Sequence, residues 1–123
     1  SNSIDSFHMN ILELTEVLGI LLDNAVEAAA VSKDRYVKVE VTGSDGGVII
    51  RVENSVDQKP DIHKMFQKDY SSKSTGGGTG LYILKKIIDG HDNAWLSTFA
   101  DDERLTQELQ IAYIERLSII DLL

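Results

Sequence analysis

The sequence predicts an α/β two-layer sandwich, a mixed and mostly antiparallel sheet with helices on one face. Three observations carry this prediction. Apolar residues recur at helical spacing over Ile11–Ala30 and again from Leu81. Two pairs of strand-like segments flank the second helical run, each pair joined by a short polar turn. The resulting order is helix, two strands, loop, helix, two strands. That grouping in pairs favours antiparallel neighbours with the helices packed on one side, rather than the strict alternation of a parallel sheet.

The scale is that of one domain. The chain has 123 residues, 42% hydrophobic and 26% charged, which suits a soluble globular core. Its net charge of −8 offers no basic field for phosphate backbones, so nucleic acid is not an expected partner. A nucleotide needs only a local patch and stays open. The absence of cysteine rules out disulfides, thiolate metal sites and a cysteine nucleophile. No apolar run approaches the ~18–20 residues of a membrane span, and no secretory signal is present. Ser1-Asn2 reads as a protease scar left by expression. Residues 3–123 then form one domain cut from a larger protein, which leaves a membrane-anchored parent open.

The first helix, Ile11–Ala30, starts at a capping-box spacing, Asn10 followed by Glu13. Leu14, Leu18, Leu21, Leu22 and Ala25 make its apolar stripe, and Ile11, Leu12, Val17, Ile20, Val26 and Ala29 widen it. Such a helix is expected to be buried on more than one side, with Asn24 and Glu27 as its polar anomalies. Ser6–Met9 reads as a short strand. Tyr36–Thr42 alternates with three valines on one face. Asp45-Gly46-Gly47 supplies a turn, and Val48–Glu53 returns. From Asn54 to Thr79 the pattern is irregular, apart from a short helix at Ile62–Phe66. The second long helix starts directly after Gly80, at Leu81, and runs to about Asp89. Ala94–Phe99 and Leu105–Tyr113 read as strands joined by the acidic turn Asp101-Asp102-Glu103. The apolar tail 114–123 suits a strand extension, a short helix or a frayed end.

Three features could carry chemistry. Four of the five residues Gly76–Gly80 are glycine, directly before a helix N-terminus. Backbone amides there approach an anion closely, and the helix dipole favours negative charge. Lys73 and the hydroxyls of Ser71, Ser72, Ser74 and Thr75 add donors. A glycine run of this kind equally suits a flexible surface loop. Asn24 stands among apolar neighbours and needs partners. Nearby backbone can supply them, or its amide oxygen can hold Mg²⁺. Glu27 lies one turn on. Asn54 ends a strand, as a turn residue or as a reader of a base edge.

Together, Leu21-Leu22-Asp23-Asn24-Ala25, Asn54 and Gly78-Thr79-Gly80-Leu81 resemble the Bergerat ATP-binding fold of the GHKL superfamily. That superfamily comprises gyrase-type topoisomerases, heat-shock chaperones, sensor histidine kinases and mismatch-repair ATPases. The likeness is greatest to the catalytic domain of histidine kinases. Leu18–Ala29, Val52-Glu53-Asn54-Ser55 and Gly78–Lys86 look like the sub-branch that senses peptide pheromones in quorum sensing. The resemblance covers about Leu12–Ile111, with the motifs in family order.

The resemblance implies roles residue by residue. Asn24 would hold the Mg²⁺ that bridges the ATP phosphates, with Glu27 beside it. Asn54 stands where most members carry an aspartate that accepts from adenine. Gly76, Gly78, Thr79 and Gly80 would close over the phosphates, Leu81 would start the helix behind them, and Lys73 would add a cation. Met65, Phe66 and Tyr70 fall where the family anchors a lid, here Asp57–Thr79. Several departures stand out: Ile20 stands where many kinases have a second asparagine one turn before Asn24, and Glu27 where they often have a lysine near the phosphates. Asn54-Ser55-Val56-Asp57-Gln58 lacks the glycines of the usual first glycine box. Ile20 replaces the glutamate that hydrolysing members place one turn before the metal asparagine as general base, which disfavours a stand-alone ATPase. Transfer to histidine needs positioning and a metal more than a base.

The implied activity is transfer of the ATP γ-phosphoryl group to a histidine. His8, His63 and His91 are poor acceptors, so the acceptor is expected on an upstream dimerisation domain. The implied setting is the cytoplasmic part of a membrane-anchored homodimeric receptor kinase, with a response regulator as a further partner. An anti-sigma-factor type of serine kinase module and a degenerate, nucleotide-free scaffold are the competing readings.

Overall fold

The computed structural model describes residues 9–68 and 79–113. Its elements are α1 (Ile11–Ala30), β1 (Val37–Ser44), β2 (Gly47–Ser55), α2 (Ile62–Met65), α3 (Gly80–Asp89), β3 (Ala94–Ala100) and β4 (Arg104–Ala112). The strands form one sheet in the order β1-β2-β4-β3, with every neighbouring pair antiparallel. The helices α1 and α3 pack on one face of it. The two-layer architecture expected from the paired element order is the one observed. Among the described residues no helix is long and apolar enough to cross a membrane. Of the expected strand at Ser6–Met9 only Met9 is described, and it packs on the core outside any strand. The tail 114–123 lies outside the described residues.

Local chemistry fixes the boundaries. Asn10 accepts from the Glu13 amide at 2.8 Å and its own amide donates to the Glu13 carboxylate at 3.2 Å, so the capping box opens α1 as its spacing predicts. Asp45-Gly46 makes a two-residue turn, because Ser44 pairs with Gly47. Gly47 belongs to β2, and a side chain there would run into the Ile111 carbonyl oxygen and lie 2.9 Å from the Ala112 Cα. That close approach, where β2 meets the end of β4, is why the position is glycine. Asp101 ties the β3–β4 turn by accepting from the amides of Glu103 and Arg104 at 2.8 and 2.9 Å.

The core gathers Val17, Leu21 and Ala25 from α1, Val52 from β2, Leu81, Leu84 and Ile88 from α3, and Ala94 and Leu109 from the sheet. One expectation is corrected. The helix α1 is not buried on several sides: it buries the stripe Val17, Leu21, Ala25 and Ala29, while Leu12 is 78% and Val26 56% exposed. The cause is its placement. It lies over β2 and against α3 more than over the edge strand β1, so its far flank has no layer to meet. For the same reason Val39 and Val41 of β1 remain 49% and 65% exposed, although they share a face with Val52 and Ile50.

Candidate functional site

The placement of α1 beside α3 decides the site. Gly80 opens α3 against the flank of α1. A β-carbon at Gly80 would sit 3.4 Å from Ile20 Cγ2 and 3.8 Å from Asn24 Nδ2. The helix asparagine and the end of the glycine-rich loop, 56 residues apart in sequence, are therefore side by side. Asn24 is partly buried at this junction. Its neighbours Leu21 and Ala25 point into the same core as Leu81, which is 8% exposed and locks the first turn of α3. Glu27 is on the exposed surface of α1.

The N-terminus of α3 suits an anion. Thr79 occupies the cap position but its side chain makes no capping hydrogen bond, and no acidic residue lies in the first turn. The first-turn amides thus keep the partial positive charge that phosphate oxygens seek. The glycine at position 80 keeps the space beside Asn24 clear. Lys73, Gly76, Gly78 and Tyr70 lie outside the described residues.

Asn54 stands near the end of β2, opposite Val37 of β1 and Leu105 of β4, and is 1% exposed. Its amide nitrogen donates to the Ser55 carbonyl at 3.0 Å. That bond turns the amide so that its nitrogen faces the backbone of the next residue. Met65 and Phe66 pack against the core, on and just after the short helix that Asp61 caps through the Lys64 amide.

Sequence reasoning missed the polar corner behind these residues. Ser32 and Ser55, 5% and 1% exposed, join hydroxyl to hydroxyl at 2.7 Å. The turn that carries Ser32 holds Arg35 in the left-handed region, at φ 51, with its amide donating to Ser32 Oγ at 3.1 Å. On the surface the Lys33 amide donates to the Asp57 carboxylate at 2.8 Å. The only sequence signal was a serine just past a helix stop and another just past Asn54. Below Ser55, the Tyr36 hydroxyl donates to Glu53 at 2.7 Å. That bond chiefly holds the Tyr36 pKa above the usual tyrosine value, against an opposing pull from Arg104.

The family profile described as the GHKL domain matches residues 9–112. No curated protein matches the chain. Among solved structures, the nucleotide-free catalytic domain of histidine kinase ThkA superposes with a TM-score of 0.67 at 25% identity, over 83% of this chain and 67% of that one. A second crystal form of the same domain gives 0.63 at 22% identity, over 85% and 68%. Acinetobacter baumannii histidine kinase AdeS gives 0.64 at 17% identity, over 82% of this chain and 46% of its own. The chain spans under half of that AdeS structure. At these lower identities the likeness is one of fold.

Proposed function

The chain belongs to the GHKL domain family, and from that membership and the site we propose that it is the ATP-binding catalytic module of a sensor histidine kinase. It seats Mg-ATP between α1 and the start of α3 and presents the γ-phosphate to a histidine on a separate dimerisation domain. The acceptor nitrogen attacks phosphorus, the bond to the bridging oxygen breaks, and ADP departs. The observation that carries this reading is Gly80 seated on Ile20 and Asn24. It sets an amide side chain, whose oxygen is a hard ligand for Mg²⁺, beside an uncapped helix start, the two kinds of group a magnesium-bound polyphosphate requires.

The residues present fit the metal and the nucleotide. The Asn24 amide oxygen would hold Mg²⁺, which supplies charge neutralisation of the phosphates when bound. Glu27 flanks it, and Thr79 and Gly80 would donate backbone amides to phosphate. Lys73, Gly76 and Gly78 complete the loop in this reading. Asn54 would accept from the adenine amino group. Ile20, 3.4 Å from where a side chain at Gly80 would begin, gives the site an apolar wall where a hydrolase needs a proton acceptor. That favours transfer over hydrolysis.

The parent is a homodimeric, membrane-anchored receptor kinase of the peptide-pheromone type, with this domain in the cytoplasm and a response regulator downstream. Melting with and without a millimolar non-hydrolysable Mg-ATP analogue tests the site. A ~10-fold excess over Kd adds about 1.4 kcal/mol, a rise of a few degrees. The rise is expected to need Mg²⁺ and to vanish in Asn24→Ala. An unchanged wild-type melting temperature would refute nucleotide binding. Transfer is read separately: joined to its upstream segment, the domain is expected to place acid-labile phosphate on histidine. Stable phosphate on serine would favour the anti-sigma-factor type of kinase instead.

A further inference from the structure

We infer that Ser32 and Ser55 are positioning residues, a buried hydroxyl relay that sets the spacing between the Asn24 helix and the Asn54 strand. This inference rests on the nucleotide reading above. The relay has one direction. Ser32 Oγ donates to the Ala29 carbonyl at 2.8 Å, in the last turn of α1. A hydroxyl has a single proton, and with that of Ser32 spent on Ala29 the Ser55 proton serves the 2.7 Å bond between the two hydroxyls in preference to the Tyr36 carbonyl 3.4 Å away. Ser55 Oγ in turn accepts from the Tyr36 amide at 3.0 Å, and Ser32 Oγ accepts from the Arg35 amide at 3.1 Å. Every donor in the corner is matched, at sites that are 5% and 1% exposed.

Its position makes it more than local packing. Ala29 lies five residues past Asn24 on the same helix. Ser55 follows Asn54 and accepts its amide nitrogen on the backbone carbonyl. The relay therefore ties the element that would hold metal and phosphate to the element that would read the base. The Lys33 amide to Asp57 carboxylate bond, at 2.8 Å, is a second strap across the same corner, on the surface. Only a ligand that spans both groups senses their separation. A ligand touching Asn54 alone does not.

The test compares two ligands on the full chain by NMR titration: a non-hydrolysable Mg-ATP analogue and adenosine. Ser32→Ala removes all three hydrogen bonds of the Ser32 hydroxyl and is expected to weaken the Mg-ATP analogue about tenfold, while adenosine affinity stays within about twofold. Ser32→Thr, which keeps the hydroxyl, restores binding. Asp57→Ala cuts only the surface strap, cannot unfold the core, and is expected to weaken the analogue about threefold with adenosine again unchanged. Equal losses for both ligands would reveal general loosening and overturn the positioning role. So would unchanged affinity for the analogue in both variants. A wild-type chain that binds neither ligand overturns the nucleotide reading itself, and this inference with it.

Discussion

Asn54 commits its amide nitrogen to the carbonyl of its own neighbour, 3.0 Å away, in a position 1% exposed. The family aspartate cannot simply be put back. In Asn54→Asp a carboxylate oxygen would face the Ser55 carbonyl, trading a buried hydrogen bond for a repulsion between acceptors. We expect the variant to lose about 2 kcal/mol and to melt on the order of 5–10 °C lower. Differential scanning fluorimetry of the empty domain checks this, and an unchanged melting temperature would mean that the amide bond contributes nothing. At the β3–β4 turn, the amides of Glu103 and then Arg104 hold the Asp101 carboxyl below the usual aspartate range. A depressed pKa gives stability that is present above the unfolded value and is lost as pH falls through the folded one. Asp101→Asn should therefore flatten the acid limb of stability below about pH 3.9, read as a smaller drop in urea midpoint between pH 5 and pH 3. If the two limbs superpose, the turn does not depend on that charge.

At the scale of elements, Gly47 and Gly43 make a matched pair on the β1–β2 hairpin. A side chain at Gly47 would collide with the backbone of Ile111 and Ala112, while at Gly43 nothing lies within 4 Å. Gly47→Ala should cost about 2 kcal/mol through displaced backbone, whereas Gly43→Ala should be neutral or slightly stabilising. Denaturant midpoints at unchanged slope distinguish the two, and equal effects would refute the close-approach account. The hairpin, the capped start of α1 and the Asp101 turn were legible in sequence because each depends on residues within a few positions of one another. The exposed flank of α1 was not. Val26 and Leu22 have the period of a buried face, but which layer covers that face depends on where α1 crosses the sheet. The Ser32–Ser55 bond spans 23 residues and left no periodic trace. The His91 to Glu13 contact at 3.1 Å, which shares the capping carboxylate of α1 with the loop after α3, spans 78.

For the molecule as a whole, the candidate site was legible as a set of motifs in order, but their convergence was not. Asn24 and Gly80 meet only because α1 and α3 share one face of the sheet. Among the described residues the site is built from backbone amides and an amide side chain, which has a consequence for the field of the whole chain. Most phosphate sites gather lysine and arginine, so salt weakens them. Here the chain carries −8, and Mg-ATP is itself anionic. At low ionic strength the Debye length of ~30 Å lets the full negative charge oppose the incoming nucleotide, and at 0.15 M it falls to ~8 Å, leaving only near neighbours. Long-range repulsion of this size is worth on the order of 1 kcal/mol between the two conditions. We therefore expect the Mg-ATP analogue to bind about threefold or more tightly at 0.15 M than at 0.01 M salt, with Mg²⁺ held in excess. Calorimetric titration at the two salts decides the sign. Steep weakening with salt would mean that local cations, Lys73 first among them, and not main-chain amides, hold the phosphates.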